Sequence, residues 1–127
     1  MKKRFIVAAA AAVAMAFASV ASAAPAKVGT SAKGKVLTDA QGMTLYTFAK
    51  DKKGTSACNG GCAANWPPLM VSTGEKGAKG YSKIKRADGH MQWAYKGRPL
   101  YTWKNDHKPG DITGDGFLNG AWKIAKP

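Results

Sequence analysis

The sequence predicts an all-β domain of short strands, a small compact sandwich or barrel built from two fused repeats. Three observations carry that expectation. All 15 glycines, and every proline but Pro25 itself, lie beyond Pro25, which leaves no long helical stretch there. Short β-prone runs sit between these breaks: 35–38, 44–48, 69–72, 81–85, 92–95, 99–103 and 121–124. And Leu45-Tyr46-Thr47-Phe48-Ala49-Lys50-Asp51 returns as Leu100-Tyr101-Thr102-Trp103-Lys104-Asn105-Asp106, 55 positions later.

Residues 1–23 read as a cleaved signal peptide. Lys2, Lys3 and Arg4 precede an apolar run over 5–20, and Ala21-Ser22-Ala23 supplies a small-residue cleavage site. The run is shorter than the roughly 20 residues a spanning helix needs, so no membrane span is expected after cleavage. A periplasmic or secreted product follows. The small, polar stretch 24–34 is expected to be a flexible leader, and 35–127 a single β domain. Within it, repeat one covers about 36–72 and repeat two about 91–124.

The repeat extends past its motif. Gly54 stands twelve residues before Trp66, and Gly110 twelve before Trp122. Each unit is therefore expected to be a strand, a long loop and a tryptophan strand. Side chains alternate across a strand, so Tyr46 and Phe48 share one face, as do Tyr101 and Trp103. A domain this small needs its large rings inside. Tyr46, Phe48, Trp66, Tyr101, Trp103 and Trp122 are expected to form the centre, in preference to an exposed platform for a sugar. Asp51 and Asp106 fall just past the strand ends, where a carboxylate accepts backbone N–H bonds and caps a turn.

The segments LYTFAKD, CNGGCAANWPPL, YKGRPLYTWKND and GDITGDG together resemble a family of bacterial secreted repeats and predicted lipoproteins. Its members share a Tyr-x-(Phe/Trp/Tyr)-x-x-Asp motif and have no known function. The resemblance covers about residues 36 to 124. The chain departs from the lipoprotein members in having no lipid-bearing cysteine near its cleavage site.

Cys58 and Cys62 are the only cysteines. They fall opposite Gly114 and Leu118 of the second repeat, whose loop of equal length has no thiol. An oxidising compartment, an even count and the permissive Gly60-Gly61 favour a local disulfide. The alternative is a copper or thiol redox site that would recruit His90 or His107 beside the two sulfurs. Asp111 and Asp115 faintly resemble a calcium loop, but lack the spacing and closing Glu of an EF-hand, so a glycine-rich turn is the preferred reading. Two histidines, no serine in a nucleophile motif, no paired carboxylates and no phosphate loop leave few parts for an enzyme.

Lys2, Lys3 and Arg4 account for three of the 20 basic residues. The remaining 17 face 7 acidic ones, a net charge of +10 after cleavage. The lysines are scattered and no nucleic-acid motif accompanies them. A solvated basic surface is the simplest reading, and anionic envelope surfaces are the partners such a charge would favour. The expected function is that of an exported, non-enzymatic envelope or binding protein with no cofactor.

Overall fold

The computed structural model describes residues 24–127; the expected signal peptide lies outside the described residues. Seven short strands run β1 (Lys27–Ser31), β2 (Gly34–Thr38), β3 (Tyr46–Phe48), β4 (Tyr81–Lys85), β5 (Met91–Tyr95), β6 (Arg98–Pro99) and β7 (Trp122–Ile124). Two short helices, α1 (Gly61–Asn65) and α2 (Phe117–Gly120), begin at equivalent places in the two repeats. All sheet pairing is antiparallel. β1 pairs β2, β3 pairs β7, and β4, β5 and β6 form a three-stranded sheet.

The repeats are intertwined. Equivalent residues meet at an internal two-fold: the Tyr46 N–H donates to the Tyr101 carbonyl at 2.7 Å, and the Tyr101 N–H to the Tyr46 carbonyl at 3.0 Å. Trp66 stacks on its counterpart Trp122 with centroids 3.8 Å apart and planes 2° from parallel. Around that axis each repeat gives its last segment to the other. The Ala125 N–H bonds the Leu45 carbonyl, and the Leu69 N–H bonds the Leu100 carbonyl, so repeat two closes on repeat one and the reverse.

Strand alternation then sorts the side chains into two cores. On one face Phe48, Trp122, Trp66 and Trp103 form a continuous stack, with Tyr46 and Tyr101 set edge-on against Trp66 and Trp122. On the other, Leu45 and Leu100 join Ala26, Leu37 and Ala125. The expected centre is thus present, except that Phe48 is only half-buried at the end of its stack.

Four sequence expectations change. The supposed leader holds β1, because β1 and β2 pair through their backbones along their whole length. Gly29 signals close packing there rather than flexibility: a Cβ at that position would come 2.7 Å from Thr38 Cγ2. The run 69–72 makes isolated bonds rather than a strand, since Pro67 and Pro68 offer no N–H and Met70 forms a lone bridge to Gln92. The run 99–103 contributes only Pro99 to β6; Tyr101 leaves that sheet to bridge Tyr46 and Pro68. Trp66 ends α1 instead of starting a strand, whereas Trp122 does open β7.

Gly114 reports on the tightness of the ring stack. A Cβ there would lie 2.7 Å from Trp66 and 2.9 Å from Trp103. Gly114→Ala is expected to destabilise by about 1–3 kcal/mol through overpacking. Gly61→Ala, with open space around it and no left-handed backbone, should stay within about 0.5 kcal/mol. Urea denaturation of the two variants checks the contrast.

Candidate functional site

The repeated tyrosine and aspartate are partners, and the partnership crosses the repeats. Tyr46 donates to Asp106 at 2.6 Å, and Tyr101 donates to Asp51 at 2.6 Å. Each carboxylate also caps its own loop as expected. Asp51 accepts the Ala57 N–H, while Asp106 accepts the N–H and hydroxyl of Thr113. One carboxylate therefore fixes its own repeat's loop and the other repeat's strand. Burial pushes both phenols up, and the adjoining carboxylates push them further. Burial likewise raises Asp51 above the usual carboxylate range, against the lowering effect of the bonds it accepts from Tyr101 and Ala57.

Behind Tyr101 lies a polar network centred on Arg86, which the sequence reading missed. The Arg86 side chain is 5% exposed. It leaves the end of β4 and donates to Ser56 Oγ at 3.0 Å, Gln92 Oε1 at 2.9 Å, the Cys58 carbonyl at 2.6 Å and Asn59 Oδ1 at 3.2 Å. Ser56 in turn lies 2.6 Å from the Tyr101 hydroxyl. A charged path thus runs Arg86–Ser56–Tyr101–Asp51. It spans a cation and a carboxylate that make no direct ion pair. A signal for Arg86 was present: the chain is rich in lysine and uses arginine only at positions 4, 86 and 98. A planar fork of donors suits a buried site with several acceptors, as an ammonium does not.

Cys58 and Cys62 form a disulfide with Cα atoms 5.2 Å apart. It clips α1, and Arg86 holds the carbonyl of its first cysteine. Among the described residues no group of three or more His, Cys, Asp or Glu side chains could hold a metal ion. His90 is exposed beside Asp88, and His107 is exposed in the loop that Asp111 caps. Asp111 accepts bonds from His107 and Lys108, and Asp115 from Lys33 and Ile124, so those carboxylates serve the turn and its neighbours.

The surface chemistry is one-sided. All seven carboxylates accept hydrogen bonds from within the chain, the remaining two being Asp39, which caps the Met43 turn, and Glu75, which holds the Trp93 indole. Every lysine in the described residues is exposed. Two clefts collect several of these cations. One, of about 310 Å³, lies between Phe48, Lys52, Lys53, Lys96 and Arg98. The other, of about 300 Å³, lies on the far side of Lys96 and Arg98, beside Lys123 and Lys126, over Leu100 and Ile124.

A family model described as a secreted repeat of unknown function matches residues 27–70 and again 82–126. The two matches divide the chain where its internal two-fold does, and the first includes β1. No curated protein and no solved structure gives a match.

Two measurements probe the crossed network. Hydrogen bonds to charged groups contribute about 1.5–3 kcal/mol each, so Arg86→Lys should destabilise by about that much by leaving acceptors unpaired. Thermal and urea unfolding would show it; an unchanged midpoint would remove Arg86 from the framework. The second measurement is an ultraviolet titration of phenol ionisation. Folded Tyr46 and Tyr101 keep their protons above the value of about 10 of an unfolded tyrosine. The unfolded chain thus loses these protons first, and stability present below about pH 10 falls above it. The slope is up to about 1.4 kcal/mol per pH unit for each tyrosine. Both phenols are expected to ionise only as the protein unfolds, and Tyr46→Phe should reduce the slope by one proton.

Proposed function

Because the chain belongs to the family of secreted repeats of unknown function, we propose that it acts in the periplasm or outside the cell as a non-enzymatic binding protein that settles on anionic envelope surfaces. One observation carries this reading. The carboxylates are spent on the interior and its loops, while the lysines are left on the outside. Such a division presents nearly unopposed positive potential to any anionic surface. The exposed ion pairs Lys33–Asp115 and Lys108–Asp111 quench little of it. The absence of a membrane-length apolar helix among the described residues is compatible with a surface-bound mode. Of the groups with raised values, Tyr46, Tyr101 and Asp51 belong to the bonds that join the repeats, and Tyr81 is raised by burial beside Tyr95; this supports a scaffold role over catalysis.

Co-sedimentation with lipid vesicles tests the proposal. The protein from which residues 1–23 have been removed should pellet with phosphatidylglycerol vesicles at about 50 mM salt and be released at about 0.5 M, where screening shortens the reach of surface charge to a few ångströms. It should ignore phosphatidylcholine vesicles. Equal binding to both lipids, or none to either, would overturn the reading.

A further inference from the structure

We propose that the twin clefts flanking the Lys96–Arg98 turn form one receptor site for a ligand bearing clustered phosphates. The inference rests on the surface-binding reading and narrows it to a place and a chemistry.

Six cations converge there: Lys52, Lys53, Lys96, Arg98, Lys123 and Lys126. They come from three separate segments, so the linear sequence shows only scattered lysines. Among the described residues none of the six pairs with a carboxylate. The one carboxylate on the lining, Asp51, has its oxygens engaged by Tyr101 and Ala57, and Lys126 rests on the Lys33 carbonyl. Like charges gathered without counterions repel one another, and an anion relieves that repulsion.

The cationic cluster stands on a fixed backbone. The Gly54 N–H bonds the Gly97 carbonyl at 2.9 Å, tying the Lys52–Thr55 loop of repeat one to the β5–β6 turn of repeat two. The Lys53 stem lies against Gly97, where a Cβ would come 2.7 Å from Lys53 Cγ; glycine gives both that space and a φ of 82°. Lys96 precedes it at φ 52°. A two-residue hairpin turn with two positive φ values favours Asn-Gly, since asparagine tolerates left-handed backbone better than lysine does. Lysine in that position sacrifices local ease for a cation at the divide between the clefts, where its ammonium sits 5.1 Å from the Tyr95 ring.

The ligand chemistry follows from charge density. A phosphate monoester brings up to two charges and three acceptor oxygens in one compact group. Arg98 offers it a fork and the lysines offer point charges. Each cleft has room for a small group of sugar-phosphate size, at the low end for ligand pockets. The buried side chains of Leu100 and Ile124 back the second cleft with an apolar wall suited to the ligand's carbon skeleton.

The test is calorimetric titration of the protein lacking residues 1–23 with sodium tripolyphosphate, against sodium sulfate at matched ionic strength. Tripolyphosphate should bind and sulfate should bind at least tenfold more weakly. Lys96→Asn with Arg98→Gln should weaken tripolyphosphate at least tenfold, while Lys76→Gln with Lys79→Gln, equal in charge but outside the clefts, should change it less than twofold. Lys96→Asn alone should weaken binding while raising the melting temperature, which separates loss of the site from loss of the fold. Equal weakening by both double variants, or binding no tighter than sulfate, would overturn the site; unchanged binding to phosphatidylglycerol vesicles would then leave the surface reading standing. Loss of vesicle binding as well would end both. If tripolyphosphate displaces the protein from vesicles, the site serves lipid headgroups. If vesicle-bound protein takes up tripolyphosphate undiminished, it serves a soluble oligophosphate.

Discussion

The contact of Trp66 with Trp122 is the constraint on which the rest of the structure depends. Two equivalent rings, one from each repeat, lie face to face at 3.8 Å on the internal two-fold. Everything symmetric in the molecule is arranged about them. Phe48 and Trp103 extend the stack outward, one at each end, and Tyr46 and Tyr101 set their edges against it. A repeat alone would expose both faces of its central indole, because the rings that cover Trp66 are Trp103 and Trp122 and those that cover Trp122 are Phe48 and Trp66. Apolar burial of this size dominates the stability of a folded domain of about a hundred residues, where the area removed from water is limited.

The crossed tyrosine–aspartate bonds give this packing its specificity. Ring stacking is tolerant of sliding, whereas a phenol that must meet a carboxylate in the other repeat fixes the register. The same carboxylate caps a loop, so loop closure and repeat pairing are coupled. The two halves solve the next layer differently. In repeat one, Ser56, Arg86 and the disulfide support the loop; in repeat two, the Gly114 N–H donates to Tyr46 at 3.3 Å and the chain turns through left-handed Leu118 and Asn119. Cys62 and Leu118 are equivalent positions, so a covalent clip in one half stands where a strained turn stands in the other.

Much of this was legible in the sequence because the repeat motif has the alternation of extended chain, a strand in the first copy and a bridged extended segment in the second. Tyr46, Phe48, Tyr101 and Trp103 sit at alternate positions, and alternation alone separates the aromatic core from the Leu45–Leu100 core. The cysteine pairing followed from compartment and spacing. What escaped was long-range. Nothing local says that Tyr46 belongs with Asp106 rather than with its own Asp51. Arg86 looked like one more surface cation, although its residue type set it apart. The stretch 24–34 read as a flexible leader because it is small and polar, yet it holds β1, where Gly29 packs closely against Thr38. The clefts were invisible for a related reason: their cations are dispersed along the chain and meet only after the repeats interlock.

Intertwining also fixes a schedule. β3, at Tyr46–Phe48, pairs with β7, at Trp122–Ile124, and bridges Tyr101, while Trp66 waits for the same distant tryptophan. Loop closure over that span must be made before either contact returns free energy. A secreted chain that crosses a membrane from its N-terminus delivers its partner strand last. Until residue 122 emerges, the first repeat is an open half with its rings uncovered, and the early clip between Cys58 and Cys62 is among the few native links it can make. The chain's scattered excess of lysines then keeps the unfinished chain apart from its neighbours by like-charge repulsion.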